Sequence, residues 1–246
     1  MTQEENLLSR FPKQRPELPE AYRNIYVEHY RRNREGASTA SSLAIKMEAW
    51  MHRKVAADVS STRRDCTTLE IGAGNLNHLV YEPLSKSYNV VEPFEELYKG
   101  SPYRTRVTKV YRDLDEIAGG RFDRIISIAT FEHLCDLPSV VARCGLLLAP
   151  RGTLRVAIPS EGTLLWTLGW KLTTGVEFRL RYGLSYGVLM RHEHVNTAAE
   201  VADVLGFFFK KVHRQVFGII PLLSFYQFFE CSAPDIERCR SYFLTK

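Results

Sequence analysis

Thr68-Leu69-Glu70-Ile71-Gly72-Ala73-Gly74-Asn75-Leu76 is a short apolar run that breaks into a glycine turn. Gly72 and Gly74 admit backbone angles that side chains resist, and they let a ligand approach the main chain closely. A strand ending in such a turn and feeding a helix directs free N–H groups at a carboxylate or phosphate. Twenty residues after Gly72, a second apolar run closes on Val90-Val91-Glu92. A carboxylate there is placed to accept hydrogen bonds from both hydroxyls of an adenosine ribose. Dinucleotide sites share this layout, but they need a third small residue five positions after the first glycine. Here that position is Asn77, between Leu76 and His78, which would crowd the packing of helix on strand. Glu70, just before the first glycine, instead suits a ligand that carries positive charge.

Outward from this turn the rhythm is that of an α/β protein. Thr67–Ile71, Tyr88–Val91, Val107–Tyr111, Arg124–Ile128 and Thr153–Ile158 read as strands, with a helix over Leu137–Leu148 between the last two. Alternating strands and helices imply a parallel sheet covered on both faces. Thr197-x-x-Glu200 is a capping-box signature that opens a helix to Leu205. The runs Phe208–Phe217 and Phe225–Cys231 follow without a helix between them, which predicts an antiparallel end to the sheet. Upstream, the first ten to eighteen residues read as a loose lead-in. A helical pattern then carries Tyr22, Ile25, Tyr26, His29 and Tyr30 on one face and closes at Gly36. Ser38 or Thr39 caps a second helix with Leu43, Met47, Trp50, Met51 and Val55, and Ser60–Asp65 forms a linker. The reading thus divides the chain into a lead-in and helical cap over 1–64 and a ligand-binding domain over 65–246. An aromatic-rich insertion at 160–196 is expected to act as a lid.

Glu70-x-Gly72-x-Gly74 resembles the first motif of class I S-adenosylmethionine-dependent methyltransferases, whose cofactor presents a sulfonium and an amine. Glu92 resembles the acidic end of their second strand. Further similarities come in order: Asp113-Leu114 after the third strand, Phe122–Ser127 followed by Phe131-Glu132-His133-Leu134, Arg143-x-Gly145 to Gly152, and Glu193–Asn196 ahead of a helix ending in Gly206-Phe207. The resemblance covers roughly residues 67–232. It implies a Rossmann-like, seven-stranded sheet with an antiparallel final strand and a variable N-terminal cap. It also implies S-adenosylmethionine as cofactor, held by Glu70, Gly72, Ala73, Gly74, Asn75, Glu92, Asp113, Leu114, Ile128 and Ala129. Two departures stand out. Arg151 replaces a usual glycine, and Pro83 should shorten the helix after the first motif.

Composition narrows the partners. The 246 residues carry a net charge of +5, distributed as +4 over 1–64, −1 over 65–160 and +2 over 161–246. Such flanking excess suits a phosphorylated or membrane-surface acceptor, and it lacks the dense basic stripe of a nucleic-acid binder. Five cysteines without a C-x-x-C pair, and opening residues without an apolar leader core, lead us to expect reduced thiols in a cytoplasmic protein.

Methyl transfer from a sulfonium is an in-line displacement, and alignment alone is worth about 7–11 kcal/mol. A hydroxyl acceptor also needs its proton removed. His133, after the fourth strand, and His194, beside the insertion, are the candidate bases. His192-x-His194 has no further ligands at metal spacing, so no metal site is expected. The expected activity is O-methylation of a small molecule: a sugar, nucleotide-sugar or lipid-linked glycan. The alternatives are methylation of RNA or protein, and a non-catalytic cofactor-binding module. Glu92→Ala is expected to weaken cofactor binding while leaving thermal stability almost unchanged.

Overall fold

Strand residues that alternate between two buried faces have to be apolar on both, and the central strands obey this. Leu69, Ile71, Ile125, Leu154 and Val156 enter one core, while Val90, Ile126, Ile128 and Ala157 enter the other. The computed structural model describes residues 3–26, 39–59, 65–84 and 86–244. Its seven strands are β1 (Thr67–Ile71), β2 (Ser87–Val91), β3 (Lys109–Tyr111), β4 (Phe122–Ile128), β5 (Leu148–Pro159), β6 (Phe209–Ile220) and β7 (Leu223–Pro234). They form one sheet in the order β3-β2-β1-β4-β5-β7-β6. The first five strands pair in parallel, and β7 lies antiparallel to both β5 and β6.

The helices are α1 (Gln3–Leu8), α2 (residues 20–26), α3 (Thr39–Ala56), α4 (Glu95–Tyr98), α5 (Leu137–Leu147), α6 (Leu164–Leu172), α7 (Thr174–Tyr182), α8 (Tyr186–Glu193), α9 (Ala198–Phe208) and α10 (Ile236–Leu244). Val141 of α5 and Val201, Val204 and Leu205 of α9 fill one face of the sheet; Met51 and Val55 of α3 fill the other. Among the described residues no helix is long and apolar enough to cross a membrane. His29, Tyr30, Gly36 and Ser38, and the linker residues 60–64, lie outside the described residues.

Four local outcomes bear on the site. The capping box forms in full: Thr197 Oγ1 accepts from Glu200 N at 3.2 Å, and Glu200 Oε2 accepts from Thr197 N at 2.9 Å. Arg151, where the resemblance leads one to look for glycine, takes a left-handed φ of 66° and β5 continues through it. The lead-in is pinned rather than loose. Lys13 Nζ donates to Val195 O and pairs with Glu200, and Lys13 N donates to Cys135 O at 2.8 Å. The insertion folds as α6–α8, and its Phe178 and Leu189 pack with Leu18 and Tyr22 in a small separate core.

Candidate functional site

The glycine turn is obligatory at its first position. Gly72 has φ +73°, and a Cβ there would sit 2.3 Å from Thr130 Oγ1. The turn does not feed the helix that the sequence suggested. Leu76 enters left-handed at φ 66°, and one 3-10 turn, Asn77–Val80, replaces the helix. Pro83 ends regular hydrogen bonding, and Arg106 donates instead to the carbonyls of Leu79, Glu82 and Pro83. His78 and Glu82 of this segment are buried for a reason of their own. His78 Nε2 lies 2.9 Å from Glu82 Oε1, and both oxygens of Glu82 accept from Arg124, which also donates to Asp58. His52 of α3 joins through a 3.0 Å contact between its Nδ1 and that of His78. Burial and the neighbouring His78 hold His52 down at about 3, so it stays neutral. A polar network thus seats the cap helix on the sheet beneath the turn.

Above the turn opens a cavity of about 650 Å³. Gly72, Ala73, Gly74 and Asn75 of the turn, Ile128 and Ala129 at the tip of β4, and Glu132, His133 and His194 beyond it all line the cavity. Ala129, at the tip of β4, holds φ +49° while its N–H donates to Ala157 O, so a strained backbone residue lines the cavity. The remaining residues singled out from sequence lie elsewhere. Glu70 is buried below the turn, where it accepts from Tyr88 Oη at 2.7 Å; burial raises its carboxyl to about 7. Glu92 is buried behind the turn and accepts from Gly74 N at 2.8 Å and Phe94 N at 3.1 Å. Asp113 caps a short turn by accepting from Asp115 N, and Leu114 is a core residue.

The histidine end is built from two loops stitched together. Glu132 O accepts from Val195 N and Asn196 N, and Asn196 Nδ2 donates to Phe131 O and Leu134 O. Arg15 of the N-terminal segment donates to the carbonyls of His133, His192 and Glu193. The two candidate bases therefore meet, with ring centroids 4.9 Å apart at 73°. His194 Nδ1 lies 2.7 Å from Glu161 Oε2, which also accepts from Trp166 Nε1 at 2.7 Å. Burial alone would lower His194, but the Glu161 hydrogen bond and the charges of Glu132, Glu161 and Glu193 raise it overall. Glu161 is correspondingly held below the usual carboxylate range: its burial acts upward, and His194 outweighs it. Glu132 is fully buried, which lifts it to about 7, and its Oε2 has no hydrogen-bond partner among the described residues.

Glu161 and Glu132 are functional candidates that sequence reasoning missed. Glu132 stood inside a quoted motif without a role, and Glu161 follows the fifth strand, a position where a carboxylate signals little alone. A grouping that sequence spacing does not show lies beside His194. Glu132, His133 and His194 bring one ligand atom each to within 4.8 Å of one another, although 61 positions separate the histidines.

The architecture is that of the class I S-adenosylmethionine-dependent methyltransferases. A methyltransferase from Thermotoga maritima, described as a possible histamine N-methyltransferase, superposes with a TM-score of 0.51 at 16% identity, over 86% of this chain and 97% of that one. An O-methyltransferase family protein from Burkholderia thailandensis gives 0.54 at 13% identity, over 94% and 69%. The plantazolicin methyltransferase, solved with a substrate analogue and S-adenosylhomocysteine, gives 0.55 at 10% identity, over 86% and 93%. No family model and no curated protein matches the sequence.

Proposed function

We propose that this chain is an S-adenosylmethionine-dependent methyltransferase that methylates a hydroxyl of a small, sugar-like acceptor: a sugar, nucleotide-sugar or lipid-linked glycan. The observation that carries the reading is one cavity lined both by the glycine turn and by the paired histidines. Its volume is within the range of about 300–1,000 Å³ usual for small-molecule sites.

The residues present fit the cofactor. Gly72 and Gly74 leave room for a ligand's carboxylate against backbone N–H groups. Glu92, behind the turn rather than on the cavity wall, keeps acceptor capacity beyond its two backbone bonds, because an ionised carboxylate offers about four lone-pair sites. The bound cofactor supplies an electrophilic methyl group on sulfur. At the paired histidines, donation of Nδ1–H to Glu161 fixes the His194 tautomer, and Nε2 becomes the proton acceptor for the acceptor hydroxyl. With the cofactor bound, that oxygen would take the methyl group and His194 would take the hydroxyl proton. Trp166, tilted 22° from the His194 ring at 6.3 Å between centroids, offers an apolar face for a sugar.

Calorimetry is expected to detect S-adenosylmethionine or its demethylated product and no NAD. A panel of hydroxylated acceptors then identifies the substrate by turnover. His194→Ala is expected to lower turnover at least about a hundredfold, in line with general-base contributions of 10²–10⁴, with cofactor affinity nearly unchanged. Tight NAD binding without response to the sulfonium refutes the reading.

A further inference from the structure

We propose that Glu132, His133 and His194 form a binding site for one first-row divalent cation at the acceptor end of the cavity. The inference rests on the reading of that end as the acceptor site, and it assigns His194 to the ion whenever the ion is bound.

Three observations carry it. The first is proximity: the three side chains bring one ligand atom each within 4.8 Å of one another, at the wall of a cavity that leaves room for further ligands. Two imidazoles and one carboxylate with open positions is a recurrent set for first-row divalent metals.

The second is orientation. A metal-ligating histidine usually donates its other ring N–H to a carboxylate or a backbone carbonyl, which fixes the tautomer. Both rings do so here. His133 Nδ1 lies 2.8 Å from Glu193 O, which only accepts, so Nδ1 carries a hydrogen and Nε2 is the ligand atom of the neutral ring. That Nε2 faces Glu132 Oε1 at 3.7 Å. His194 Nδ1 is likewise engaged by the Glu161 carboxylate at 2.7 Å, so Nε2 is the ligand atom of the neutral ring.

The third is an unmet demand. Glu132 is 1% exposed, and its Oε2 has no hydrogen-bond partner among the described residues. A buried carboxylate oxygen without a partner is costly. A cation held by the Glu132 carboxylate and the two imidazoles would meet that demand.

The chemistry follows from the charge. A divalent ion lowers the pKa of an oxygen acid bound to it, so an acceptor hydroxyl presented there ionises near neutral pH and loses its proton to solvent. An acceptor with two adjacent hydroxyls, as in a sugar diol, fills two open positions and is the substrate class this site favours.

The test titrates the full chain with Mn²⁺ and follows loss of the free-ion electron paramagnetic resonance signal; Co²⁺ serves as a second probe by visible absorption. The expected result is one Mn²⁺ per chain, with affinity at least about tenfold weaker in Glu132→Gln and in His133→Gln. Glu161→Gln, which touches no ion, is expected to lose about 10–100-fold, the usual cost of removing a partner that orients a ligand. Retained binding of the demethylated cofactor shows that each variant is folded. Absence of Mn²⁺ and Co²⁺ binding by the wild-type chain at about millimolar metal overturns the proposal. So does wild-type affinity in Glu132→Gln. If no metal binds while His194→Ala still abolishes turnover, the cation site is wrong and the base reading stands. If metal binds but neither S-adenosylmethionine nor its product does, the functional reading fails and the cation site stands.

Discussion

Glu92→Ala separates a structural role of this carboxylate from a role in holding ribose. The side chain is 5% exposed and accepts from Gly74 N at 2.8 Å and Phe94 N at 3.1 Å. A hydrogen bond to a charged group contributes about 1.5–3 kcal/mol, and the two N–H groups left behind regain part of that from water. A net loss of about 2–4 kcal/mol in the unliganded protein follows. At roughly 2–4 °C per kcal/mol for a chain of this size, Tm should fall by on the order of 5–10 °C. This reverses the expectation from sequence, which treated a carboxylate at a strand end as neutral for stability. Loss of the ribose contact should add a separate weakening of cofactor binding by about 1–3 kcal/mol, roughly 5- to 150-fold. The assays are differential scanning calorimetry without ligand and isothermal titration with S-adenosylhomocysteine. An unchanged Tm would refute the bracing role, and unchanged affinity in a folded variant would place the ribose elsewhere.

The other predictions concern the network, the N-terminal clamp, the insertion and the β5 turn. Arg124→Met leaves Glu82 and Asp58 without their shared cation in a buried setting and should cost about 3–5 kcal/mol, read by urea denaturation; a loss under about 1 kcal/mol contradicts the account. Glu200 is held below the usual carboxylate range: burial acts upward, and the Lys13 and Thr197 bonds outweigh it. Its contribution is therefore present above its unfolded pKa and is lost as pH falls through the lower folded value. Glu200→Gln should lower stability at pH 7 and flatten the acid limb below about pH 4.5, and an identical acid limb in both proteins counts against it. Phe178→Ala empties the centre of the small core shared with Leu18 and Tyr22 and should cost about 3–5 kcal/mol locally. Limited proteolysis should then cut within 160–196 faster than in wild type, and equal rates would show that this core does not hold the insertion. Arg151→Gly relieves a left-handed residue with an exposed side chain and should raise stability by about 0.5–1 kcal/mol; a lower Tm would show that the Arg151 side chain contributes contacts.

Local patterns in the sequence determined the strands and their class. β1 begins and ends where the alternation of apolar residues places it, α5 and α9 begin at the expected residues, and the capping box at Thr197 is written in the first turn of one helix. These features depend on neighbours a few positions apart, and so does the glycine demanded at position 72, so a one-dimensional reading reaches them. The helix after the glycine turn was lost for a nonlocal reason. His78 and Glu82 are drawn into a buried network with Arg124 and His52, residues 26 to 46 positions away, and that network outweighs helix propensity in a segment already broken by Pro83. The histidine end depended on tertiary structure altogether. Glu132 and His133 come from the end of β4, Glu161 from the end of β5 and His194 from the end of α8, while Arg15 reaches back from the N-terminal segment to hold their loops together. Sheet order brings those ends to one edge, because β4 and β5 are neighbours there and parallel strands finish on the same side. Residue types and spacings announced a ligand at the turn, but only the packing of four distant segments made two histidines and two carboxylates a single site.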